Sequence, residues 1–249
     1  MAALASQLIL HPTIGETLKY TATTVGRDKV YRGVQYWSRF YAWYLLRKGD
    51  KDEAARWVAL KSHLGTARKL LRIGKPVEHL QAALKTTLAS GPAVEVILAV
   101  ARQIAYFIYL SYDLFVWANA VKFLRLSPET AQRISKTSAK FWFAGILLNL
   151  ANGVLKNLRL KEEAKKLKQS RPWGEKDLAD EAARETRLAA VRKSIVAARR
   201  QFTIDLLDIS LPATSIGLWD FSEGTLGLLG LASSILGAQN QWRSVNGKK

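Results

Sequence analysis

The chain has 249 residues, 49% hydrophobic and 23% charged, with 38 Lys plus Arg against 20 Asp plus Glu and a formal net charge of +18. So large an apolar share excludes a mainly disordered basic tail. There is no cysteine, and the three histidines, His11, His63 and His79, are scattered. Disulfides, thiol catalysis and zinc-cysteine sites are therefore excluded, and no metal centre is expected. The charge asks for an anionic partner, either nucleic acid or a membrane surface.

Proline and glycine are sparse, strand-type alternation is nearly absent, and Ala, Leu, Lys and Arg dominate. The expected fold class is all-α. The N-terminus lacks a basic n-region, and His11-Pro12 breaks its apolar run, so it does not read as a secretory signal. The C-terminal VNGKK is neither a Ser-Lys-Leu address nor an ER retrieval tetrapeptide. A first helix is predicted from Thr13 to Thr23, with Thr13 as N-cap and Glu16 three residues on. A second runs from about Asp28 to Lys48 and stops at Gly49. Asp50 to Glu53 repeats the capping spacing and opens a third, to about Ile73. Gly74-Lys75-Pro76 breaks it, and a fourth covers about Val77 to Leu88.

Ser90-Gly91-Pro92 divides the chain into a basic region, 1–90, and an apolar region, 91–249. A long apolar helix is predicted from Ala93 to Val121, and Pro128 opens the next, which leads into the apolar run 141–155. A loop is expected around Arg171-Pro172-Trp173-Gly174, then a helix from about Lys176 to Leu207. The chain closes with a Gly-rich apolar tail, Ile216 to Ala238.

The second helix holds seven aromatics between residues 31 and 44, from Tyr31 to Tyr44, interleaved with Arg and Lys. That pattern suits a bilayer headgroup layer, single-stranded nucleic acid, or simple packing of large side chains. On the third helix Leu60, Leu64, Ala67 and Leu71 form one stripe with Trp57 at its margin. Lys61, Arg68, Arg72 and Lys75 adjoin it, and Lys69 lies further round. Long basic stems beside an apolar stripe suit insertion into an anionic leaflet, and equally a solvated face over a soluble core.

Residues 92–118 are long enough to cross a bilayer. On that helix Glu95, Arg102, Tyr106, Tyr109 and Asp113 share one face, because steps of seven and eleven residues return to nearly the same angle. In a membrane such a polar stripe faces other helices or water; in a soluble protein it is the wet face of a core helix. Residues 217–241 form a second expected span, in which Trp219 and Trp242 bracket Thr225 to Ala238, and 141–155 is left open. In the tail Gly227, Gly230, Ser234 and Ala238 share one side, suited to close self-association. No Walker loop, dinucleotide fingerprint or nucleophile elbow is present, so no catalytic residue and no cofactor is expected. Residues 1–90 carry 15 basic and 6 acidic residues, and 156–200 carry 14 and 7, so the positive-inside rule does not choose a topology.

The strings TTVGRDKVYRGVQYWSRFYAWYLLRKG (23–49) and LKSHLGTARKLLRIGKPVEHLQAAL (60–84) closely resemble the peroxin-eleven family of peroxisomal membrane proteins, fungal branch. The resemblance continues through the apolar middle to GTLGLLGLASSILGAQNQW. It implies an integral protein of the peroxisomal membrane, termini in the cytosol, that elongates the membrane before fission. It further implies a helix within Leu60–Leu84 that inserts into the cytosolic leaflet, with Lys61, Arg68, Lys69, Arg72 and Lys75 as its basic face. The partners it implies are anionic phospholipid, further copies of the chain, a dynamin-like GTPase and a tail-anchored fission adaptor. An alternative is a metabolite pore built on the stripe of Glu95, Arg102 and Asp113. A soluble all-α nucleic-acid binder is a third reading, which salt would release from membranes.

Overall fold

The computed structural model describes residues 7, 9–169 and 178–247, and all regular structure among them is helical. In chain order the helices are α1 (Pro12–Ala22), α2 (Thr24–Lys48), α3 (Lys51–Leu70), α4 (Lys75–Thr87), α5 (Ala93–Ala120), α6 (Pro128–Gln169), α7 (Leu178–Asp208), α8 (Ser210–Ser215) and α9 (Glu223–Asn246). The all-α expectation holds. The loop expected at 171–174 lies outside the described residues.

Local chemistry sets the boundaries. α1 is capped by His11 rather than Thr13: Pro12 takes the first turn, where its missing N–H costs nothing, and the Thr13 amide donates to His11 Nδ1 at 3.3 Å. α2 begins earlier than expected, because the Thr23 hydroxyl accepts from the Gly26 amide at 2.9 Å. It ends at Gly49, whose φ of +87° suits a residue without a Cβ. Asp50 caps α3 by accepting from the Glu53 amide at 3.1 Å. Gly74, at φ +90°, and Pro76 separate α3 from α4, so residues 60–84 form two helices. The apolar run 141–155 is no separate element but the middle of the 42-residue α6. Gly145 is accommodated there by the Tyr106 ring, which a Cβ would meet at 3.1 Å.

The helices close into a ring. α2 packs on α3, α3 touches α5, α5 lies along α6, α6 along α7, α7 meets α9, and α9 returns to α2, while α4 lies against α5. A small core of Tyr36, Leu211 and Leu226, with Trp142 and Leu231 against it, ties α2, α6, α8 and α9 together. The two ends of the chain are thus joined, and residues 1–90 share their packing with 91–249. The joint is close and in register: Gly237, Gly230, Gly227 and Gly224 of α9 face Lys29, Tyr36, Phe40 and Trp43 of α2. A Cβ at Gly230 would lie 2.3 Å from the Tyr36 ring, and one at Gly227 would lie 2.7 Å from the Phe40 backbone nitrogen.

Candidate functional site

Lys61, Arg68 and Lys69 of α3 and Arg72 of the turn after it reach carboxylates of other helices, whereas Lys51 and Arg56 of α3 are exposed. Lys61 Nζ donates to Glu223 at 3.1 Å, and the same carboxylate takes both Arg39 Nε at 3.0 Å and Arg39 Nη2 at 2.5 Å. Arg68 Nε donates to Asp28 at 2.9 Å, and its Nη1 donates to Gln35 at 2.8 Å. Asp113 accepts from Lys69 and, at 2.7 Å, from Arg72, whose second nitrogen donates to the Tyr109 hydroxyl at 2.7 Å. Lys75 pairs with Glu78 at 2.6 Å. Burial opposes ionisation of Asp28, but the Arg68 guanidinium wins and holds its carboxyl below the usual carboxylate range. Trp57 donates to Glu53 at 3.0 Å and sets its ring edge-on to Tyr41 at 4.9 Å. Leu60 is exposed, whereas Leu64 and Leu71 are half-buried. The fold turns Lys61, Arg68, Lys69 and Arg72 toward carboxylates of α9, α2 and α5, while Lys75, beyond the break at Gly74, pairs within α4.

The polar stripe of α5 is directed inward as well. Glu95 receives a two-nitrogen fork from Arg159 of α6, at 2.7 and 3.0 Å. Asp113 is held from the α3 side as described. Arg102 lies over the Tyr106 ring, 5.2 Å from its centroid, and no ion pair or hydrogen bond of its side chain is found among the described residues. The two carboxylates at the ends of the stripe are therefore tied to neighbouring helices, and Arg102 stands between them.

The opposite faces are apolar and uncovered. On α5, Ile97, Ile104, Ile108 and Phe115 recur at steps of seven, four and seven residues, with Ile97, Ile104 and Phe115 exposed. On α4, Val77, Leu80, Leu84 and Leu88 recur at steps of three, four and four, Leu84 being 67% exposed and Leu88, the C-cap, 87%. Leu147, Val154 and Leu158 repeat the arrangement on α6. The expected inserting stretch, Leu60–Leu84, is split by Gly74 and Pro76: the stripe of Leu60, Leu64, Ala67 and Leu71 belongs to α3 and its turn, and that of Val77, Leu80 and Leu84, legible in the spacing, to α4. Among the described residues α5 alone is long and apolar enough to cross a membrane. The second span expected at 217–241 does not take that form: residues 217–222 are not helical, and α9 opens with Glu223.

The tail's small-residue face is engaged within the chain. Gly227, Gly230 and Ser234 are buried against α2 or the adjoining bundle, and Ala238 is half-buried. A second copy would reach this face only by displacing α2. Trp242 packs on Tyr20 of α1 at 5.5 Å, while Trp219 stays exposed beside Phe221. Of the α2 aromatics, Tyr36 is buried, Phe40 and Trp43 face α9, and Trp37 and Tyr44 remain exposed.

Comparison with known proteins gives one consistent result. The family model described as peroxisomal biogenesis factor 11 (PEX11) matches residues 14–242. Peroxisomal membrane protein PMP27 of Saccharomyces cerevisiae is 29% identical, over 95% of this chain and 98% of its own length. Peroxisomal membrane protein PMP30B of Candida boidinii is 25% identical, over 96% and 97%. Human peroxisomal membrane protein 11B is 24% identical, over 88% and 93%. No solved structure matches the chain.

Proposed function

The chain belongs to the peroxisomal biogenesis factor 11 family, and from that premise we propose that it elongates the peroxisomal membrane by setting α4 into one leaflet beside a membrane-crossing α5. Its relatives are named as peroxisomal membrane proteins, which supports the location. The observation that carries the mechanism is the uncovered stripe of Val77, Leu80, Leu84 and Leu88 on α4. Thirteen residues reach ~20 Å, short of a ~30 Å hydrocarbon core, so α4 enters one leaflet without crossing. A helix that fills one leaflet expands it relative to the other and favours positive curvature. The 28 residues of α5 reach ~42 Å and suffice to anchor the chain. Anionic phospholipid is the expected surface, given the net charge of +18. Self-association and recruitment of a dynamin-like GTPase with its adaptor complete this reading.

The test uses the full chain reconstituted into vesicles containing phosphatidylserine. Leu80→Glu with Leu84→Glu places two charges on the outward face while leaving α5 untouched. The variant is expected to remain in the vesicles and to lose tubule formation under the electron microscope. Tubules as frequent as those of the parent would overturn the role of α4.

A further inference from the structure

A cavity of about 670 Å³ opens between α2, α3, α4 and α5, in the range of small-ligand sites. It adjoins the face of α4 that carries His79 and Ala82, opposite the stripe of Val77 and Leu84. Its wall holds the paired cations Arg68, Lys69, Arg72 and Lys75, and in addition Lys29, Arg32 and Arg102. Against these seven stand Asp28, Glu78 and Asp208 on the wall, and Asp113 just behind it. Asp205, whose field reaches Arg102, is taken up by Asn149 and Gln201.

The positive excess falls on particular atoms. Arg32 binds Asp208 and Ser233 through one nitrogen, and its buried Nε has no partner. The buried Nε of Arg102 is likewise unmatched. No ion pair or hydrogen bond of Lys29 is found among the described residues, and burial, then the nearby Arg32, push its ammonium below the ordinary lysine value. Buried donors without acceptors are costly in a folded protein. Arg32 and Arg102 also lie over Tyr36 and Tyr106, 5.4 and 5.2 Å from the centroids, and such aromatic faces orient a guanidinium without occupying its N–H groups.

We propose that this cavity binds a ligand bearing clustered phosphate groups, with Lys29, Arg32 and Arg102 as its direct contacts. Guanidinium forks match phosphate oxygens in pairs, and an ammonium adds an undirected charge. A multiply charged anion balances the excess of cations and supplies acceptors to the open nitrogens. The same chemistry is offered by a soluble polyphosphate and by the headgroup of a phosphorylated inositol lipid. The site is separate from the outward stripe of α4, so it stands or falls independently of membrane bending.

The experiment places the full chain in nanodiscs of neutral phosphatidylcholine and titrates pyrophosphate and inositol hexakisphosphate by calorimetry. A second arm compares flotation with vesicles holding phosphatidylinositol 4,5-bisphosphate or phosphatidylserine at equal charge. Saturable binding is expected in at least one arm, and Lys29→Gln with Arg102→Gln should weaken it about 10-fold or more. Those two side chains hold no ion pair among the described residues, and unchanged thermal unfolding of the empty protein checks that the variant folds. Lys136→Gln, on the exposed face of α6, should leave the affinity unchanged. Binding in the first arm identifies a soluble ligand; binding confined to the inositol lipid identifies a headgroup. Absence of saturable binding in both arms, or equal affinity of parent and double variant, would overturn the site.

Discussion

Gly227 shows how much one missing methyl decides. Its Cα lies so close to α2 that a Cβ would sit 2.7 Å from both the nitrogen and the Cβ of Phe40, and the backbone atom has no rotamer to yield. Gly227→Ala should push α9 off α2 and cost ~1–3 kcal/mol, read as a lower unfolding temperature by calorimetry. Gly217→Ala is a poor control, since its φ is +83°; Gly33→Ala, with nothing near its Cβ, should be neutral or better. Asp28 makes a second prediction at this scale. Its carboxyl is depressed in the folded protein, so its contribution is present above the unfolded value of about 3.9 and is lost as pH falls through the lower folded value. Asp28→Asn should therefore lower stability near neutral pH and flatten the acid side of a stability–pH curve. A parallel downward offset at every pH would show that the charge of Asp28 is not what Arg68 holds.

Helix α5 has two faces of opposite character, and their placement reverses that of a helix in a water-soluble bundle. Glu95, Arg102 and Asp113 look inward, while Ile97, Ile104 and Phe115 look outward. In water the exposed stripe would be a standing penalty of ~25 cal/mol per Å² of apolar surface, whereas hydrocarbon removes it. Ile97→Asp with Ile104→Asp puts two carboxylates on the outward face without touching the ion pairs behind. The variant should be extracted from membranes by alkaline carbonate, where the parent stays in the pellet. Equal retention would mean that another element anchors the chain. The spacing of both faces was legible in the sequence. Their outward or inward sense was not, because an amphipathic period is the same whichever solvent it meets.

Across the whole molecule the net charge of +18 is not spread evenly in effect. Lys61, Arg68, Lys69, Arg72 and Lys75 are each paired with a carboxylate of the same chain, Lys69 and Arg72 sharing Asp113. Lys161, Lys165 and Lys168 near the end of α6 stand exposed, and none of them forms an ion pair among the described residues. If the chain meets an anionic surface as proposed, attraction is expected from cations of the latter kind. Replacing Lys161, Lys165 and Lys168 with Gln should slow association with phosphatidylserine vesicles, and salt should slow the parent by screening the same charges. Stopped-flow mixing measures both effects. If Arg68→Gln with Lys69→Gln slows association more than the triple change does, the paired face opens when the protein meets lipid.

The sequence by itself determined most of the helices, though not α8 or the start of α9, their punctuation at Gly49 and Gly74-Lys75-Pro76, and the residues that share a face, because caps, breakers and a 3.6-residue period act locally. It also carried the family, since the strings at 23–49 and 60–84 are specific. What only the tertiary structure decided is where each face looks. The basic face of α3 meets Asp28, Asp113 and Glu223, which lie 40, 44 and 162 residues away from Arg68, Lys69 and Lys61. The small-residue face of α9 meets α2 at the other end of the chain, where a second copy was expected. Uncovered apolar stripes are left on α4, α5 and α6. Pairings at such separations depend on how the ring of helices closes, and no local pattern encodes that closure.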